Sequence, residues 1–215
     1  MKYTIDKSFS TKVERSPRVI EVAEAYGLGL SDKEFTIYYQ FEIEVEQGQV
    51  LYITGQSGSG KSLLLRELAA QMKAAGLNVA DIESIHFDDR PLIDQVGKNM
   101  TEASNLLSQA GVNDAYLQIR RPKELSDGQR YRLRLAKLIE SGAQVWVADE
   151  FGAILDRTTA KVVAFNMQKM ARKLGATLIV ATTHTDMEDE LGPDIMITKR
   201  FKERIDVKRG GDDAK

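Results

Sequence analysis

The sequence predicts an α/β fold, a mainly parallel sheet covered by helices, with an antiparallel β part and a short helical segment. Three observations carry this expectation. The short, nearly continuous apolar runs "VLYIT", "VWVA" and "TLIVAT" suit strands buried on both faces. Helix-length amphipathic stretches alternate with them, and that alternation builds parallel sheets. The run "FEIEVE" instead alternates apolar with charged residues, as a strand with one solvated face does.

In chain order, "FTIYYQFEIEVEQGQVLYIT" reads as two strands separated at Gln47 and Gly48. The second runs from Val50 to Thr54 straight into "GQSGSGKSLLLRELAAQMKAAG", where a glycine loop opens a helix that Gly76 closes. "SIHF" is a candidate strand, and Thr101 to Ala110 reads as a short helix ended by Gly111. Next, "LSDGQRYRLRLAKLIE" combines a Ser-Asp-Gly turn with an amphipathic helix whose Leu133, Leu135, Leu138 and Ile139 can face a core. The strand "AQVWVADE", the helix "TTAKVVAFNMQKMARKLG" and the strand "ATLIVATTH" follow. The tail "KRGGDDAK" has the composition of a mobile end.

Composition narrows the function classes. With 215 residues, 42% hydrophobic and 29% charged, the chain suits one domain, or one with a small subdomain. A formal net charge of -2 gives no global field toward nucleic acid or anionic lipid. The absence of cysteine excludes disulfides, thiolate zinc sites and thiol nucleophiles, and fits a cytoplasmic protein. The segment "MKYTIDKSFSTKVERSP" lacks a signal-type apolar core, and no uninterrupted apolar span reaches the roughly 18 residues of a membrane helix. The chain is therefore not expected to cross a membrane itself.

The strongest chemical signal is "GQSGSGKS", Gly55 to Ser62, which fits G-x-x-x-x-G-K-[ST] between a strand and a helix. Such a loop curls backbone amides round phosphate oxygens at the positive end of a helix dipole. Lys61 is expected to bridge the terminal phosphates and Ser62 to ligate magnesium. The strand "VWVADE" carries Asp149 to the same edge, where it can hold magnesium through water. Glu150 follows as a candidate general base, since a carboxylate beside the attacking water can take its proton. His184 ends the next strand, and a neutral imidazole there can hydrogen-bond the terminal phosphate.

These pieces, in this order, resemble the ATP-binding-cassette (ABC) ATPase family from about Tyr26 to His184. The resemblance implies a P-loop NTPase fold of ABC type, with ATP and Mg²⁺ as cofactors. "GQSGSGKS" looks like its Walker A loop, so Gly55, Gln56, Ser57, Gly58, Ser59, Gly60, Lys61, Ser62 and Leu63 are the expected phosphate-binding residues. "VWVADE" looks like the Walker B strand. "LSDGQ" is similar to the LSGGQ signature, in which Ser126, Gly128 and Gln129 would cover ATP held by a second subunit. "AILD" resembles the D-loop, with Asp156 as its acid, and His184 the switch histidine. "VAEAYGLG" looks like the segment whose aromatic, Tyr26, stacks on adenine. The glutamine that senses magnesium is assigned to Gln95.

Two residues depart from the family pattern. Asp127 stands where the signature has glycine, adding negative charge near a polyphosphate, and Phe151 where many relatives have proline. The stretch from Gln95 to Leu125 is short beside that of typical transporter subunits. The second half of the chain resembles stand-alone, non-membrane ABC ATPases sometimes fused to acetyltransferase-like domains. The resemblance implies one nucleotide-binding domain over residues 1–208, with 96–140 as a helical signature subdomain and 209–215 as a flexible tail. It also implies an ATP-dependent head-to-tail homodimer. The expectation is an ATPase driving a soluble partner or a nucleic-acid transaction, the latter suggested by "QIRRPK", the arginines 130, 132 and 134, and "KRFKERIDVKR". A subunit energising a membrane permease is the alternative, and a P-loop kinase of small substrates is disfavoured by the signature.

Overall fold

A computed structural model of the chain describes residues 1–201 and 204–210. Its centre is a six-stranded sheet formed by β3 (Val50–Gly55), β4 (Val79–Asp81), β5 (Val145–Ala148), β6 (Thr177–Thr182), β7 (Ile195–Lys199) and β8 (Ile205–Arg209). The order is β4-β5-β6-β3-β7-β8, parallel throughout except for the β7–β8 edge pair. A separate antiparallel pair joins β1 (Lys2–Thr11) to β2 (Lys33–Glu44). Between these two lies α1 (Pro17–Tyr26), opened by the Ser16 cap with Pro17 in its first turn and closed by left-handed Gly27.

The continuous apolar runs are explained by two cores, one on each face of the sheet. Val50 and Tyr52 of β3, Trp146 and Ala148 of β5, and Leu178 and Val180 of β6 belong to one. Leu51 and Ile53, Val145 and Val147, and Ile179 and Ala181 belong to the other. Period-two alternation therefore sends successive residues of these apolar runs into one core or the other. The second core is closed by α2 (Lys61–Ala74), through Leu64, Leu65, Leu68 and Met72, and by the β1–β2 pair lying over it. Lys7 ties that pair to Glu67 of α2 at 2.7 Å.

The first core is covered by α3 (Met100–Gln109), α5 (Asp127–Glu140) and α6 (Arg157–Leu174), with the short α4 (Ala115–Gln118) and α7 (Glu188–Leu191) at its margins. Leu133, Leu135, Leu138 and Ile139 are buried, each contributing on the order of 1.5–3 kcal/mol relative to exposure. The helical segment shares this core with the sheet.

Several expectations change. "SIHF" forms no strand: Ile82–Ser84 is a 3-10 turn capped by the Asp81 carboxylate, and the paired strand is the preceding β4. A short acid that captures the Glu83 amide bends the chain off the sheet. The strands β1, β7 and β8 and the helix α1 were not anticipated. Arg209 ends β8, paired with Ile195, so the expected tail begins later, and its residues 211–215 lie outside those described.

Candidate active site

Strands β3, β5 and β6 all end at one edge of the sheet, and there the loops enclose a cavity of about 530 Å³. Its walls include Ser57, Gly58, Gly60, Lys61 and Ser62 from the glycine loop, Asp149, Glu150 and Ala153 after β5, and Thr182 and Thr183 after β6. The loop enters α2 with Gly58 and Gly60 at φ 73° and 103°, so amides of the first helical turn, which have no acceptor within the helix, face the loop's hollow. Its shape depends on close backbone approach at Gly55, with φ 141°, packed against Lys199. No local pattern marks Tyr38 as a support of the loop: it is fully buried in β2, and its hydroxyl donates to the Gly60 carbonyl at 2.9 Å.

Lys61 is buried, and its Nζ donates to the Gln56 carbonyl at 2.8 Å, spanning the loop it belongs to. Burial holds its ammonium below the ordinary lysine value, while Asp149 and Glu150 pull it back up. Ser62 Oγ donates to Asp149 Oδ1 at 2.9 Å, and Arg66 stands 3.7 Å from the other carboxylate oxygen. A hydroxyl and a carboxylate side by side are hard oxygen donors, the chemistry that suits Mg²⁺ with its retained waters. Glu150 is exposed at the cavity wall with φ 47°, a left-handed backbone uncommon outside glycine. Its amide donates to Asp149 Oδ1 at 3.0 Å.

The signature turn sits elsewhere in the same chain. Ser126 caps α5: its Oγ accepts from the Gln129 amide at 3.3 Å, and the Gln129 side chain returns the bond to the Ser126 amide at 2.9 Å. A Cβ on Gly128 would lie 3.3 Å from Leu155, so the signature touches the "AILD" segment of its own subunit. Asp156 caps α6 by accepting from the Thr159 amide at 3.0 Å. Asp127 is exposed and ion-paired to Arg130, whose other nitrogen donates to the Leu125 carbonyl at 2.7 Å. Phe151 is fully buried, and its amide donates to the Ala181 carbonyl at 2.9 Å, a bond that proline lacks. The Tyr131 hydroxyl accepts from the Gly152 amide at 3.2 Å, linking α5 to the end of β5.

Three expected residues stand apart from the cavity wall. Tyr26 ends α1 with 77% of its surface exposed and is not among the residues of the cavity wall. Gln95 is buried, its Oε1 accepting from the Asp88 amide and its Nε2 donating to the carbonyls of Asp88 and Arg90, so the side chain braces a local turn. His184 follows the cavity residues Thr182 and Thr183, but its ring meets Arg157.

Comparison with known proteins agrees with this arrangement. The family model described as "ABC transporter" matches residues 38–101. The cytochrome c biogenesis ATP-binding export protein of Ruegeria sp. is 30% identical over 187 residues, 79% of this chain and 91% of its own. The aliphatic sulfonates import ATP-binding protein of Rhodococcus jostii is 28% identical over 83% of this chain and 78% of its own. A solved dimeric ATP-binding cassette in a post-hydrolysis state with ADP and phosphate superposes with a TM-score of 0.66 at 17% identity, covering 98% of this chain and all of that one. With a 30% identical relative spanned almost end to end and the glycine loop, acidic strand end and signature turn all in place, the chain belongs to the ABC ATPase family and is an ATPase.

Proposed function

We propose that the chain is the ATP-binding subunit of a membrane transporter, hydrolysing Mg²⁺-ATP as a head-to-tail dimer. The observation that carries this reading is the breadth of the match to one import and one export ATP-binding protein, 83% and 79% of this chain, well beyond the nucleotide loop. No relative reported above supports the soluble or nucleic-acid role suggested by the basic runs, and several side chains of those runs are engaged within the fold. Arg120 bonds Glu124, Arg121 and Lys123 share Asp89, Arg130 pairs with Asp127, and Arg132 donates to the Gly111 carbonyl at 2.8 Å.

In this reading Lys61 leaves the Gln56 carbonyl for the terminal phosphates, held also by the first amides of α2. Ser62 and Asp149 would hold Mg²⁺ through their hard oxygen donors, and the ion would supply positive charge to offset that of the phosphates. Glu150 takes the proton of a water that attacks the γ-phosphorus, as the bond to the ADP oxygen breaks. Ser126 and the Gly128 amide of the second subunit close over the phosphate, and Gln129 keeps that turn in shape. His184 donates to a γ-phosphate oxygen. The helical segment 96–140 is the part that would meet a permease.

Two experiments test this. Glu150→Gln is expected to retain ATP and slow hydrolysis by roughly two to four orders of magnitude, the scale of a general base. Purified with ATP from native membranes, it should bring down an integral membrane protein, whereas a nucleic acid or a soluble complex alone would replace the transporter reading. Lys61→Ala and Ser126→Arg should each be inactive, yet a random mixture should regain about a quarter of normal activity, because half the dimers then contain one intact composite site. No rescue, together with a Glu150→Gln protein that stays monomeric in ATP, refutes the dimer.

A further inference from the structure

His184 is held in an unusual way. Its carbonyl accepts from the Thr54 hydroxyl at 3.0 Å and from the Tyr52 hydroxyl, so β3 fixes the backbone. On the ring, Nδ1 lies 2.5 Å from Nη1 of Arg157, and Nε2 is buried with no hydrogen-bond partner. A guanidinium has donors and no acceptor, so Nδ1 must accept. A neutral imidazole accepting at Nδ1 carries its proton on Nε2.

Arg157 is poorly placed for the stability of its own helix. It is the first residue of α6, whose first turn contains no acid, and a cation there opposes the helix dipole. Asp186, two residues beyond His184, forms an ion pair with it and offsets that charge. Glu188 of α7 acts with Arg157 on Tyr52, and Glu190 of the same helix also feels Arg157 while pairing with Lys161 of α6 at 2.7 Å. Arg157 also follows Asp156 directly, so the cap of α6 and the ring of His184 are linked through one peptide unit.

We propose that Arg157 is a positioning residue that locks His184 in the neutral, Nε2-protonated form, so that the ring presents a hydrogen-bond donor and no lone pair at Nε2. A buried N–H without an acceptor is a cost that an acceptor removes, and in the ATPase reading a γ-phosphate oxygen is that acceptor. Burial and, secondarily, the neighbouring guanidinium hold His184 below the ordinary histidine value, keeping the ring uncharged at neutral pH. The catalytic use of this donor rests on the ATPase reading above, whereas the tautomer does not.

The chain has two histidines, so nitrogen spectra of isotope-labelled histidine in the full-length protein resolve His184, with His86 as internal reference. Without nucleotide, His184 should show its proton on Nε2 and an unprotonated Nδ1, assigned from the different couplings of the two nitrogens to the ring protons. Arg157→Met should give a mixture of tautomers and move the His184 titration up toward the ordinary range, with the His86 signals unchanged. Arg157→Lys, which retains a donor-only cation, should restore much of the Nε2–H form. In steady-state assays Arg157→Met should lower kcat by about 10- to 100-fold, the scale on which partners that orient a working imidazole act, with little change in KM. A wild-type ring protonated at Nδ1 or charged at neutral pH would overturn the proposal, as would a tautomer and titration unaltered in Arg157→Met. The correct tautomer with normal activity in His184→Ala would instead leave the proposal standing and remove the histidine from the hydrolytic reading.

Discussion

Gly55→Ala isolates the backbone contact that aims the glycine loop. At φ 141° this residue lies where other L residues are strained, at a cost of order 1–3 kcal/mol. An added Cβ would be driven into the Lys199 carbonyl oxygen, and would lie 3.0 Å from its carbon and 3.3 Å from its amide nitrogen. These are backbone atoms of the neighbouring strand and cannot rotate away. The final β3–β7 pair, Gly55 with Lys199, must part, forfeiting about 1 kcal/mol per ladder hydrogen bond. Strain, collision and lost pairing together come to roughly 3–5 kcal/mol, or about 6–20 °C in Tm for a chain of this size. Gly76→Ala is the matched control: φ is also positive, 87°, but nothing lies within 4 Å, leaving the backbone term of about 1–2 kcal/mol. Thermal unfolding with and without ATP separates stability from binding. Wild type should gain about 2.7 kcal/mol at a hundredfold excess of ATP over Kd, and Gly55→Ala should lose most of that gain. If it melts no lower than Gly76→Ala, the close approach to Lys199 does not shape the loop.

Two further substitutions address the departures from the family pattern. Arg130→Ala should weaken ATP-dependent dimerisation in the wild type but much less in Asp127→Gly, because Arg130 then has no charge to neutralise; equal effects in sedimentation would refute that pairing as the reason the acid is tolerated. Phe151→Pro should destabilise by at least about 3 kcal/mol although it restores the residue of many relatives, since it empties a filled core position and removes the N–H given to Ala181; urea unfolding near the wild-type midpoint would contradict this.

Asp127 and Phe151 illustrate what local reading misses. Both look like lapses from a pattern, yet each has a partner supplied by the fold: Arg130 one helical turn on, and the Ala181 carbonyl on the next strand. Tyr26 and Gln95 show the converse. Each matches a residue type at a plausible spacing, yet Tyr26 ends α1 exposed and off the cavity wall, and the Gln95 amide braces a turn at 88–90.

The sequence by itself determined the parallel core, the phosphate loop and the acids that face it. These features are written locally: apolar runs of strand length require two covered faces, and glycines, lysine and serine at strict spacing mark a phosphate loop within eight residues. Helix α5 and its Ser126 cap were legible for the same reason, since the apolar periodicity and the capping box lie within one short segment. Only the tertiary structure decided which side chains complete the site. Tyr38 beneath Gly60, Lys199 against Gly55, Tyr131 on Gly152 and Arg157 on His184 join residues 21 or more positions apart, and no pattern of period two or 3.6 relates them. The strands β1, β7 and β8 were hidden similarly. β1 and β8 have mostly exposed side chains, and β7, though paired on both edges, alternates buried with half-buried residues, so all three carry a weaker apolar signal than the central strands.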